Sequence, residues 1–149
     1  MIPTDLIKEN EGLRLRSYQC QAGVWSIGFG HTKNVQPNQT CTKEQAEAWL
    51  AEDAKAAADE IRLSVFVPLT DNQLGALLSF VYNVGGHAFG RSRLLRVLNN
   101  YRYDEVPEQL SRWVNVTMPS GAKAVSDGLV LRRNREIALW NTKAKEVNV

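Results

Sequence analysis

The stretch Glu11-Gly-Leu-Arg-Leu-Arg-Ser-Tyr18, followed by Gly23-Val-Trp-Ser-Ile-Gly-Phe-Gly-His31-Thr32, decides how the rest of the chain is read. Ahead of it, Ile2, Leu6 and Ile7 form a short apolar pattern, with Pro3 and Asp5 suited to a first helical turn and Gly12 to a stop. This predicts a small helix ending around Glu11. From Tyr18 to Phe29 the periodicity switches to two and is interrupted by Gly23, which predicts a β-hairpin. In its second strand Trp25, Ile27 and Phe29 fall on one face and Val24, Ser26 and Gly28 on the other, so Ser26 should point away from the apolar trio.

Working outward, a turn-rich stretch from Asn34 to Thr40 leads to Thr42 with Gln45 three residues on, a capping-box pattern that opens a long helix. Ala46, Trp49, Leu50, Ala54, Ala57, Ile61 and Val65 give that helix one buried stripe. A second box, Thr70 with Gln73, opens a helix striped by Leu74, Leu77, Leu78 and Val81 and ended by Gly85-Gly86. Leu94, Leu95 and Leu98, then Leu110 and Trp113, then Ile137 and Trp140 mark three further helical segments, with both tryptophans read as core. Asn115 to Gly128, carrying Pro119 and Gly121, has no pattern and reads as a surface loop; His87 reads as a loop residue, and 141–149 as a frayed tail.

The expected architecture is a mainly helical α+β chain, residues 1–149 as a single domain. A small hairpin-containing lobe (about 12–60) would be joined by a long helix to an all-helical lobe (1–11 plus 61–140). With 149 residues, 44% hydrophobic and 23% charged, there is material for one well-buried core. No apolar run approaches a membrane span, and the start lacks the basic stretch and apolar core of a secretory signal, so the expected site of synthesis and residence is the cytoplasm. The net charge of +2 hides an asymmetry: residues 1–73 carry 7 Lys/Arg against 10 Asp/Glu, residues 74–149 carry 11 against 6. Arg91, Arg93, Arg96 and the cluster Arg132, Arg133, Arg135 read singly as solvated helix faces and together as a patch attractive to an acidic polymer. The aromatic interleaving of a dedicated nucleic-acid binder is missing. Two cysteines, Cys20 and Cys41, and two histidines, His31 and His87, supply neither a disulfide scaffold nor a zinc spacing, so no metal or cofactor is expected.

Breaking a glycosidic bond needs a proton for the leaving oxygen and, across the sugar, a group that attacks or activates water. Glu11 alone would read as an ordinary surface glutamate, yet the negative end of a helix macrodipole favours its protonated form. The quoted stretch resembles the signature of the phage lysozyme family, the endolysins or muramidases of T4 type, whose pattern is Glu, eight residues, Asp or Cys, five residues, Thr. Glu11, Cys20 and Ser26 fall at that spacing. The similarity continues through the helix from Thr42, Phe80-Val-Tyr-Asn-Val-Gly85, Phe89 to Leu95, Trp113, Gly128-Leu129, Arg132-Arg133, Glu136 and Trp140, and covers roughly residues 5–140.

The resemblance implies a lysozyme-like fold and hydrolysis of the β-1,4 bond between N-acetylmuramic acid and N-acetylglucosamine in bacterial peptidoglycan, with inversion. Glu11 would be the general acid, Cys20 would activate or steer the attacking water, and Ser26 would position it. Gly30, His31, Thr32, Tyr82, Asn83 and Ser92 would line the cleft. It implies a monomer that lyses the host cell from a phage or prophage, held in the cytoplasm until a holin-type lesion releases it to the periplasm and wall. Serine in place of threonine keeps the hydroxyl. Cysteine in place of aspartate is the larger change, because a free thiol titrates near ~8.5 and an aspartate near ~4. Three other readings stay open on the residues: a catalytically silent peptidoglycan-binding relative, a Cys20–His31 amidase or peptidase, and redox gating by oxidation of Cys20, with Cys41 as a partner. His31 on the first reading is a structural histidine paired with a carboxylate.

Overall fold

The structure, a computed structural model, describes residues 2–20 and 22–143. It is 56% helical with two small two-stranded sheets. The short first helix, α1, spans Asp5–Glu11 and stops where expected, at Gly12. The hairpin follows as β1 (Arg14–Gln19) and β2 (Trp25–Gly28), antiparallel, with Tyr18 opposite Ser26 and Gln19 opposite Trp25. The chain returns along the other edge of β1, where Ser17 N–H donates to Gln39 O at 2.8 Å and Cys41 N–H to Leu15 O at 2.9 Å.

Both capping boxes form. Thr42 opens α2 (Lys43–Ser64), its hydroxyl accepting from Gln45 N–H while the Gln45 side chain accepts from Thr42 N–H. Thr70 and Gln73 do the same for α3 (Asp71–Val84). The stripe on α2 is buried at Ala46, Leu50, Ala54, Ala57 and Ile61, as its spacing predicts. α3 is the centre of the molecule: Ala76, Leu77, Leu78 and Phe80 are fully buried, and the helix packs against α1, α2 and the last helix. Burying each such leucine or phenylalanine contributes roughly 1.5–3 kcal/mol.

Beyond Gly85, which caps α3 at φ 90, come α4 (Gly86–Gly90), α5 (Arg93–Asn99), a 3₁₀ turn (Tyr103–Glu105) and α6 (Val106–Ser111). His87 therefore lies on a short helix, exposed, rather than in a loop. Trp140 is buried and Trp113 packs on the core, its ring edge-on to Phe80 at 5.3 Å.

The stretch expected to be a plain loop is in part a second hairpin, β3 (Asn115–Thr117) and β4 (Lys123–Val125), so the helical part of the molecule carries a sheet of its own. Its strands are three residues long and mostly exposed on both faces. Neither face is driven into a core, so no alternation marks them in the sequence. Ser126 then caps α7 (Asp127–Asn141), which begins well before the Ile137–Trp140 pair that signalled it. The rest of the expected tail, 144–149, lies outside the described residues.

Candidate active site

Glu11 is the last residue of α1, and its carboxyl is held against α7 by an ion pair between Oε1 and Arg132 Nη1. Arg132 is itself buried; its Nη2 donates to Ser79 O at 2.9 Å and its Nε lies 3.4 Å from Glu136 Oε2. The carboxyl thus stands between the end of α1 and a buried guanidinium. On its other side the carboxyl meets bare backbone at Gly30, whose φ of +74 is a left-handed conformation. A Cβ at that position would overlap Glu11 Oε2.

Arg132 and Arg133 thus correct the reading of the basic cluster as solvated surface. They are 6% and 1% exposed, and with Glu136 they form a charged network inside the protein.

Cys20 follows directly on β1 and opens the hairpin turn. Its N–H donates to Val24 O at 2.9 Å, its carbonyl accepts from Gly23 N–H at 2.9 Å, and its thiol is free and exposed. Ser26 is 5% exposed, buried rather than open, because β2 is covered on both faces. Tyr18, across the ladder from Ser26, ties the three positions together. Burial above all pushes its phenol up; the charge of Glu11 and that of Cys20 add to this, while Arg14 and a hydrogen bond with Ser26 oppose it. Cys41 is also free, and burial pushes its thiol up.

His31 has the carboxylate partner expected of it: its Nδ1 lies 2.7 Å from Asp53 Oδ2 on α2, and its ring stacks on Trp49 at 4.7 Å. Among the described residues no hydrogen bond joins His31 to Cys20, so the Cys–His arrangement lacks its first link. Tyr82 donates its hydroxyl to Phe29 O at 2.6 Å. Burial, then Asp53 and Glu11, hold that phenol far above its ordinary range, so it stays a neutral donor.

A cleft of about 330 Å³ is lined by Gly30, Thr32, Asp53, Glu60, Tyr82 and Gly85 among others. Three of the expected cleft residues, Gly30, Thr32 and Tyr82, line it, and His31 stands buried beside them. The other two do not line it. Asn83 accepts from Arg133 Nη2 at 2.5 Å, and Ser92 is the buried N-cap of α5, donating to Phe89 O at 2.7 Å and accepting from Leu95 N–H at 3.1 Å. A second hollow, about 570 Å³, separates Cys20 and Gly23 from Thr117, Met118 and Pro119. The second hairpin therefore faces the thiol. Asp53, Glu60 and this hairpin border the candidate site without having been singled out in the sequence, and Tyr18 and Arg132, named there, were given no part in it.

Among the described residues no cluster of three His, Cys, Asp or Glu is placed to hold a metal ion, and no helix is long and apolar enough to cross a membrane.

The phage lysozyme family model matches residues 8–136. The chain is 41% identical over 137 residues to an endolysin of Acyrthosiphon pisum secondary endosymbiont phage 1, covering 92% of this chain and 93% of that one. Among solved structures it is similar to the muramidase domain of SpmX from Asticaccaulis excentricus (36% identity, 95% of each chain, TM-score 0.84). It is similar also to an endolysin from Escherichia coli O157:H7 phage FAHEc1 (33% identity, 93% of this chain and 90% of that one, TM-score 0.84). With a hairpin and a helix-end glutamate bordering a cleft, and a likeness that runs nearly end to end, the chain belongs to the phage lysozyme family.

Proposed function

We propose that this lysozyme hydrolyses the β-1,4 bond between N-acetylmuramic acid and N-acetylglucosamine in peptidoglycan with inversion at the anomeric carbon, and that Glu11, Cys20 and Ser26 carry the reaction. The observation that supports this most is the setting of Glu11: one carboxyl oxygen is taken by Arg132, and the other lies against the bare backbone of Gly30 at the edge of the cleft. Glu11 gives its proton to the leaving glycosidic oxygen. A water on the opposite face of the sugar attacks the anomeric carbon, loses its proton to the Cys20 thiolate, and is held by the Ser26 hydroxyl. The exposure of Cys20 on the hairpin turn gives the water a route in, and no cofactor enters. Gly30, Thr32 and Tyr82 would border the bound saccharide. The biological setting is host lysis at the end of a phage cycle, by a monomer that a holin-type membrane lesion admits to the periplasm.

Release of reducing ends from purified peptidoglycan, compared for Glu11→Gln, Cys20→Ser and Ser26→Ala, tests the assignment. Glu11→Gln should lose roughly 10²–10⁴-fold in kcat, the usual contribution of a positioned general acid. Normal turnover in that variant defeats the proposal, and release of new free amines in place of reducing ends would turn it to the Cys20–His31 alternative.

A further inference from the structure

Glu136 is a fully buried carboxyl that the reaction does not use. Charged or hydroxyl groups stand beside both of its oxygens, and Oε2 is the one that accepts hydrogen bonds. Oε1 lies 2.8 Å from Arg133 Nε, and Oε2 accepts from the Ser79 hydroxyl at 2.6 Å. The direction of that hydrogen bond is fixed by a relay: Arg135 Nη1 donates to Asn10 Oδ1 at 3.3 Å, Asn10 Nδ2 donates to Ser79 Oγ at 3.0 Å, and the only proton left to the hydroxyl goes to Glu136. That hydrogen bond and the two arginines favour the carboxylate form of Glu136, against the burial that pushes its carboxyl up.

The charged groups facing it from its own helix are Arg132 and Arg133; α1 contributes Asn10 and, through Arg132, Glu11; α3 contributes Ser79, with Asn83 on Arg133. Phe80 closes the face of Arg133 at 4.9 Å. Two guanidiniums thus share two carboxylates, Arg133 and Glu136 enclosed by the protein and Glu11 at its edge. When Glu11 carries a proton, Glu136 is the one anion left to balance the pair. Without it, both cations would fall on Glu11 and pull it to the ionised form.

We propose that Glu136 is a positioning residue that acts through Arg132: by engaging the two buried arginines from behind, it lets Arg132 orient Glu11 without stripping the proton that Glu11 must deliver. The inference rests on the reading of Glu11 as the acid, and the test separates the two. The Glu11 side-chain carboxyl is titrated by ¹³C NMR in the wild type, Glu136→Gln, Arg133→Met and the double variant, beside the pH profile of kcat/KM. Around Glu11 the other titratable groups are Arg132, Tyr18 and Tyr82, none of which these substitutions change.

Removing the anion should move the Glu11 midpoint down by about one pH unit, the scale of one unbalanced neighbouring charge. Removing one cation should move it up, and the double variant should return it toward the wild-type position. A midpoint that stays put, or moves the same way in both single variants, overturns the proposal. Should Glu136→Gln fail to fold, the upward shift in Arg133→Met decides alone. If the midpoints move as stated and the kcat/KM profile does not follow, the coupling stands and the assignment of Glu11 as the acid falls.

Discussion

Cys20 can draw a proton from water only as its thiolate, and the ordinary thiol is mostly protonated at neutral pH. The proposed mechanism therefore predicts that Cys20→Asp moves the pH optimum of reducing-end release to lower pH, since an aspartate is already ionised there. A profile that is unchanged or shifted upward would remove Cys20 from the water-activating position. At this scale the three proposed positions could be picked out of the sequence because a helix end followed by a hairpin keeps them within sixteen residues of one another, from Glu11 to Ser26. Their partners were not. Arg132 meets Glu11 across 121 residues and Asp53 meets His31 across 22, and a sequence read alone gives no reason to pair a particular arginine or aspartate over such distances. The basic run around Arg132 resembled solvent-facing charge for the same reason: the carboxylates that permit its burial come from α1 and from Glu136 one turn on.

At the scale of elements, the two reciprocal caps begin α2 and α3, two helices that line the cleft. Thr70→Ala removes the hydroxyl that accepts from Gln73 N–H at the start of α3. It should destabilise the fold by about 1 kcal/mol. That corresponds to a fall in Tm of roughly 2–4 °C, measurable by thermal melts. Helices with a buried stripe and a cap were readable because both signals are local. The β3–β4 hairpin was hidden because its strands bury nothing that would impose a period of two. It nevertheless brings Thr117, Met118 and Pro119 to the hollow beside Cys20, so the element least visible in the sequence forms one wall of that hollow.

For the molecule as a whole, the buried phenol of Tyr82 links stability to pH. Its titration in the fold lies above the ordinary 10.0, whereas the unfolded chain ionises at the ordinary value. The native state then holds more protons than the unfolded one over that interval, so the stability is fully present below 10.0 and is lost as the pH rises above it. Tyr18, shifted the same way, adds to the effect. Urea melts between about pH 8 and 11 should show stability falling steeply at the alkaline end. Tyr82→Phe should flatten that fall while costing about 1 kcal/mol at neutral pH for the lost hydrogen bond to Phe29 O.

Three helices converge on the short run from Phe29 to His31. Tyr82 of α3 holds the carbonyl of Phe29, the carboxyl of Glu11 at the end of α1 rests on Gly30, and Asp53 of α2 holds the ring of His31. This run is the mechanical anchor of the cleft. A movement that widens the cleft to admit a polymer strand must leave it in place or break all of these contacts together. A cleft that opened at its rim would leave unchanged the floor against which the Glu11 carboxyl rests.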